Sequence, residues 1–198
     1  MFETLKAEFT RRQALLITTP FAFAGIAVLA LRKSRDGEDS NSGGQSNEEV
    51  SIVEFNDSGQ KLGAARAKKV VRSSGEWHKR LSAEQYYVTR QQGTDTAFSG
   101  TYYQIHQHGL FRCICCDNAV FSSDTKFDSD TGWPSFWAPI AEENVRTRPD
   151  FSLLEKRTEV HCTRCEAHLG HVFNDGPEPT NLRYCINESS MRFIPRSA

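Results

Sequence analysis

Six cysteines carry most of the chemistry this chain can offer, and all of them lie between Cys113 and Cys185. Four form two C-x-x-C pairs, Cys113 with Cys116 and Cys162 with Cys165, with about 45 residues between the pairs. Each pair presents two thiolates across a tight turn. Four such ligands complete a tetrahedral zinc ion and leave no open position, which marks a structural site. The separation exceeds that of a compact zinc ribbon, so the metal is expected to join two distant hairpins. The rival reading, two redox-active C-x-x-C motifs, needs a thioredoxin-like βαβ context that this sequence does not show. Cys115 stands inside the first pair, and a change of register would let it serve as a ligand, although only Cys113 and Cys116 keep the two-residue spacing.

The sixth thiol, Cys185, sits in Leu182-Arg183-Tyr184-Cys185-Ile186-Asn187. Leu, Tyr and Ile at alternate positions read as a strand with one buried face. Arg183, Cys185 and Asn187 then share the opposite face, where a cation and an amide donor favour the thiolate. Taken alone, such a cysteine is more often an inert, half-buried small hydrophobe. Upstream, His168 and His171 would point to opposite sides of a regular strand. Gly170 between them permits a bulge that brings both to one side. A histidine pair alone is weak as a signal, and a catalytic zinc on it lacks a third ligand and a general-base Glu. Asp175, in the turn Asn174-Asp175-Gly176-Pro177, is placed to orient a histidine or Arg183. In Gly132-Trp133-Pro134-Ser135-Phe136-Trp137, Pro134 forbids an ordinary internal strand. Phe136 is expected in the core, and Trp133 beside a thiol would wall an apolar recess of methyl size.

The elements that must hold these groups are short. From about Lys68, apolar and aromatic runs alternate with Gly, Asn, Asp and Pro: 101–105, 110–113, 120–121, 145–147, 158–162, 171–173, 183–187 and 191–194. This predicts a mainly β domain, a compact β-sheet structure with helices confined to its N-terminal side. Ser74 is expected to cap a short helix through Leu81, and Ser82-Ala83-Glu84-Gln85 has the form of a capping box. With 198 residues the chain has room for one domain with a proper core plus unstructured sequence, and a net charge of -1 gives no global reason for nucleic-acid binding.

Residues 1–31 read as a targeting segment. Thr10-Arg11-Arg12 ahead of the uncharged run 14–31 resembles a twin-arginine signal. That run is at the lower limit for spanning a bilayer, so the leader is expected either to be cleaved, after Ala24 or Ala30, or to remain as a membrane anchor. Basic residues flank it on both sides and leave orientation open. Residues 32–67 read as a flexible linker, in which Val50–Phe55 forms a short strand or merely the sticky end of the tether. The expected location is exported, at the periplasmic or outer face of the membrane.

Taken together, Cys113-x-x-Cys116, Gly-Trp-Pro-Ser-Phe at 132–136, Cys162-x-x-Cys165, His-Leu-Gly-His-Val-Phe at 168–173, Asp-Gly-Pro at 175–177 and Arg-Tyr-Cys-Ile-Asn at 183–187 resemble the methionine sulfoxide reductase B family. The likeness extends upstream through Glu76-Trp77 and Phe98-Ser99-Gly100 and covers residues 68–198 as a catalytic domain. It implies a β-rich fold, one structural Zn(2+) on Cys113, Cys116, Cys162 and Cys165, and reduction of the R epimer of methionine sulfoxide, free or in oxidised proteins. On this resemblance Cys185 attacks sulfur and becomes a sulfenic acid. His171 and His168 handle oxygen and water. Trp133 walls the substrate methyl, with Phe173 beside it. Asn187, Arg183 and Asp175 support the nucleophile.

The sequence departs from the family pattern where many members carry a recycling cysteine, which is Thr131 here. Asn181 and Glu188 also differ, and Glu188 brings a negative charge near the pocket. The sulfenate is then resolved either by the spare Cys115 or directly by an external thiol such as thioredoxin or a glutathione/glutaredoxin-type donor. The direct route is favoured because Cys115 is held in the zinc turn. The competing class, a membrane-tethered zinc module that binds a partner through its aromatic loop, leaves Arg-x-Cys-x-Asn and the histidine pair unexplained.

Overall fold

A computed structural model describes residues 47–152 and 156–196 of the chain. The expected signal or anchor over 1–31 lies outside the described residues, as does the linker up to residue 46. In chain order the elements are β1 (Glu49–Phe55), β2 (Lys61–Lys68), α1 (Ser74–His78), α2 (Ala83–Gln91), β3 (Gly109–Cys113) and β4 (Ala119–Ser122). They continue with β5 (Lys126–Phe127), β6 (Ser135–Phe136), β7 (Val145–Asp150), β8 (Arg157–Cys162), β9 (His168–Phe173), β10 (Arg183–Ile186) and β11 (Met191–Pro195). The mainly β expectation and the position of the helices both hold.

Local chemistry sets the helix starts. Ser73 and Glu76 form one capping box and Ser82 and Gln85 a second, so the first helix is capped one residue earlier than the sequence reading had it. The run 101–105, expected as a strand, is instead a 3-10 turn over Tyr102–Gln104. The Glu188 carboxylate accepts the N–H groups of Thr101 and Tyr102, which removes them from any ladder.

Residues 49–68 correct the linker reading. They form an antiparallel hairpin in which Val50, Ile52 and Val53 are buried. The fully buried Asn144 holds it: its Oδ1 accepts Val53 N–H at 2.7 Å, and its Nδ2 donates to Val53 O at 2.8 Å and Ala119 O at 2.7 Å. The polar composition around the hairpin hides a docking contact made by one residue some ninety positions away.

Two further antiparallel sheets surround the core, one with strand order β5-β6-β10-β9-β8-β7 and one with β11-β3-β4. Phe111, Phe121 and Phe136 meet between them, Phe121 stacked on Phe136 at 4.5 Å and Phe111 edge-on to it at 5.0 Å. Truncating one such ring to Ala would cost roughly 3–5 kcal/mol. Phe136 is therefore core, as expected, and the Pro134 turn leaves it one short paired step in β6. Among the described residues no helix is long and apolar enough to cross a membrane.

Candidate active site

Sheet register lays the site out as one transverse row. Ser135 on β6 faces Cys185 on β10, Cys185 faces His171 on β9, His171 faces Glu159 on β8, and Glu159 faces Arg148 on β7. Residues opposite one another on neighbouring antiparallel strands share a face. Thiol, imidazole, carboxylate and guanidinium are thus adjacent by backbone pairing alone.

The bulge at Gly170 adds the second histidine. Val160 pairs Gly170 while His161 pairs His168, which makes Leu169 the extra residue. Gly170 has φ +157, and a Cβ there would lie 2.1 Å from Cys185 O, so only glycine lets β9 pass so close behind the thiol. The His168 and His171 rings consequently meet at 5.3 Å on one side.

Each ring is anchored by a carboxylate that sequence reading missed. His171 Nε2 is 2.8 Å from Asp150 Oδ2, and His168 Nδ1 is 2.8 Å from Glu159 Oε1. The N–H and hydroxyl of Ser152 hold the Asp150 carboxyl well below the usual carboxylate range, helped by His171 and Arg157. Burial opposes ionisation of Glu159, but hydrogen bonds from His168 and Arg148 outweigh it and hold the carboxyl at about 2. Ionised carboxylates only accept, so the anchored nitrogens carry the protons. The lone pairs fall to His171 Nδ1 and to His168 Nε2, a buried atom with no partner. Burial pushes His171 below its ordinary value against the pull of Asp150, so the ring is neutral at pH 7.

Cys185, His171, Asn187, Trp133 and Phe173 line one recess of about 130 Å³, with Thr94, Arg157 and Gly170 completing it. Trp133 is fixed by a hydrogen bond from Nε1 to Asp95 O at 3.0 Å. Arg157, another residue the sequence did not single out, donates to Asp150 at 2.7 Å. Arg183 stands over the Phe173 ring at 4.5 Å and pairs both guanidinium donors with Asp175 at 2.9 Å. Asp175 thus orients Arg183 rather than a histidine.

Two expectations change. Asn187 is no amide donor to the thiol: Nδ2 donates to Leu169 O and Oδ1 accepts Asp95 N–H. It ties the loop at Asp95 to the strand pair below the recess. Nor does the thiolate dominate at rest, because burial pushes the Cys185 thiol up while Arg183 and the Thr131 hydroxyl pull it back only in part.

The four C-x-x-C sulfurs lie within 4.8 Å of one another, with Cys113–Cys165 at 3.6 Å and Cys116–Cys162 at 3.5 Å. Zn–S bonds of about 2.3 Å in a tetrahedron put sulfurs about 3.8 Å apart, so these residues fit a closed four-thiolate ion. Cys115 is not one of the four.

Residues 81–195 match the family model described as the SelR domain. The peptide methionine sulfoxide reductase MsrB of Hahella chejuensis is 50% identical over 125 residues, 63% of this chain and 90% of the relative. That of Pseudomonas aeruginosa PAO1 is 48% identical over 130 residues, 66% of this chain and 98% of the relative. The chloroplastic reductase B1 of Oryza sativa is 54% identical over 118 residues, 59% of this chain and 55% of the relative. The chain belongs to the methionine sulfoxide reductase B family.

Thr131 stands beside the Cys185 thiol. Its hydroxyl draws the Cys185 thiol's pKa down and meets Ser129 Oγ at 2.9 Å, which in turn meets Ser135 Oγ at 2.7 Å. The Cys185 thiol of this reductase B chain is backed by hydroxyls. Cys115 lies instead among Cys113, Cys165 and Thr89 in the metal turn.

Proposed function

We propose that this oxidoreductase reduces the R epimer of methionine sulfoxide, free or in oxidised proteins, through a Cys185 sulfenic acid. The observation that carries the reading is the thiol in a recess lined by Trp133 and the carboxylate-anchored His171, against which the buried, carboxylate-anchored His168 packs. A sulfoxide sulfur is electrophilic, and its oxygen leaves sulfur only when protonated, so the site needs a soft nucleophile and a proton path. Cys185 Sγ attacks the sulfoxide sulfur. The attack forms an Sγ–S bond while the thiol proton passes to the sulfoxide oxygen through the imidazole. The hydroxyl then moves from the substrate sulfur to Sγ as the S–O and Sγ–S bonds break, leaving Cys185 as S–OH and releasing methionine. Trp133 receives the substrate methyl and fixes which epimer turns its oxygen toward His171.

One external thiol then condenses with the sulfenic acid, releasing water and leaving a mixed disulfide, and a second thiol frees Cys185. The different surroundings of Cys115 and Cys185 favour this direct route over an internal disulfide. Thioredoxin or a glutathione/glutaredoxin-type donor supplies such thiols. One Zn(2+) on Cys113, Cys116, Cys162 and Cys165 joins the β3–β4 and β8–β9 hairpins and takes no part in the chemistry. The segment 1–31 directs export, as a cleaved signal or a retained anchor.

The test is turnover of each epimer separately by zinc-loaded protein with dithiothreitol. The expected result is consumption of the R form alone, abolished by Cys185→Ser. A folded, zinc-loaded protein that consumes neither epimer would refute the reading and leave the tethered binding module.

A further inference from the structure

A second cleft, of about 160 Å³, adjoins the recess and shares Trp133 with it. The two are built from neighbouring residues. Thr94 and Asn187 face the recess, and their chain neighbours Asp95 and Glu188 face the cleft. Three carboxylates line it, Glu84, Asp95 and Glu188, and no Lys, Arg or His does. Glu188 is held in place by Thr101 N–H at 2.6 Å and Tyr102 N–H at 2.7 Å on Oε2. Asp95 is 8% exposed, and its Oδ2 accepts Ser189 N–H at 2.9 Å. Its Oδ1 is buried with no partner. A buried acceptor left unpaired calls for a donor, and a cleft lined by three carboxylates and no basic side chain suits a cationic one. Among the described residues, the four cysteines are the ligand group close enough to hold a metal, so the carboxylates are spread too widely for an ion and suit a side-chain head.

We propose that this cleft binds the ammonium or guanidinium of a Lys or Arg that flanks the sulfoxide in a substrate polypeptide. The inference rests on the reductase reading and narrows its substrate class. An extended chain advances about 3.3–3.6 Å per residue, so a residue one or two places from a methionine sulfoxide seated against Trp133 reaches the cleft.

The experiment compares kcat/KM for three peptides, with Lys, Ala or Glu on both sides of an R-sulfoxide, and for N-acetylmethionine R-sulfoxide. It is run at about 0.01 M and about 0.15 M salt, where the screening length falls from about 30 to about 8 Å. The Lys peptide should exceed the Glu peptide by on the order of tenfold at low salt, and the ratio should shrink at the higher salt. Asp95→Asn and the exposed Glu84→Gln should each lower the ratio roughly threefold. Equal turnover of the peptides would overturn the inference and leave the reductase reading intact. A preference that both variants retain would overturn the assignment to this cleft. Turnover of none of the four substrates would overturn the reductase reading, and this inference with it.

Discussion

Glu159→Gln tests the proposition that a buried carboxylate, invisible in the motifs, governs the histidine pair. The Glu159 residue is 2% exposed, accepts His168 Nδ1 and the Arg148 guanidinium, and lies within 3.4 Å of Gln92 Nε2. Its carboxyl titrates at about 2 rather than 4.5, and at about 1.36 kcal/mol per pH unit that difference is on the order of 3 kcal/mol. Arg148 is half exposed, so solvent screens part of its share and about 2 kcal/mol is the working figure. The native state holds the charged form below the ordinary pKa, so the unfolded chain binds more protons between about 2 and 4.5. Stability therefore rises with pH through that window and is fully present above it. Urea unfolding should show the wild type ahead of the variant by about 2 kcal/mol at pH 7. The gap should close as the pH falls toward 2.5. A Gln amide cannot accept from both Arg148 and His168 without turning an N–H toward one of them. Turned toward His168, it reverses the tautomer that leaves Nε2 free. We expect kcat to fall roughly 10–100-fold with KM little changed. Parallel loss of stability in both proteins between pH 5 and 2.5, or an unchanged kcat, would refute the reasoning.

Three other perturbations probe separate parts of the structure. Gly170→Ala places a methyl 2.1 Å from Cys185 O, against backbone rather than a movable side chain, so β9 and β10 must part. The expected outcome is a loss of at least about 2 kcal/mol in stability and near-complete loss of turnover; a soluble variant with wild-type kcat would contradict it. Cys162→Ser removes one of four mutually close thiolates, and chain-bound zinc, measured by a colorimetric chelator after acid release, should drop from one equivalent toward none. One retained equivalent would mean that Cys115 or another group substitutes. Asn144→Ala leaves the Val53 N–H and C=O and Ala119 O without partners, at roughly 1–3 kcal/mol for each buried group. Limited proteolysis should then cut near residues 56–60 far faster than in wild type, while an unaltered cleavage pattern would show that the hairpin docks without Asn144.

Much of the site was legible because it follows local rules. Alternation put Cys185 and Asn187 on one face, Gly170 announced the bulge, and the spacing of the C-x-x-C pairs announced the four-thiolate cluster. The groups that tune these residues were hidden because they come from neighbouring strands. Glu159 reaches His168 only through the β8–β9 register, and Asp150 reaches His171 from the end of β7, two strands away. No periodicity within one segment encodes such pairings. The hairpin at 49–68 was hidden for a similar reason: its buried face is three aliphatic residues, and its anchor, Asn144, lies beyond the helices. Arg183, Cys185 and Asn187 share a face, but alternation does not reveal that the Asn187 amide is already committed to backbone.

The raised affinity of Cys185 for its proton can be reconciled with the attack proposed for its sulfur by counting protons. The step R–SH + R′₂S=O → R–SOH + R′₂S consumes no proton from outside; the thiol hydrogen reappears on the sulfenic acid. A site that kept a thiolate at rest would have to find that hydrogen elsewhere when the oxygen leaves. Here burial keeps the thiol protonated, Arg183 and the Thr131 hydroxyl limit how far, and His171, neutral at pH 7, sits opposite Cys185 with a free lone pair. In the proposed reaction the proton passes from sulfur to the imidazole of the facing strand and on to the sulfoxide oxygen, so charge separates only while the substrate occupies the recess. Burial also explains the weight placed on the carboxylate anchors. An imidazole that must accept and return a proton in one cycle needs a fixed tautomer, and Asp150 and Glu159 fix it on both rings. The proposed mechanism thus leans less on the acidity of the thiol than on the row of strand partners that surrounds it.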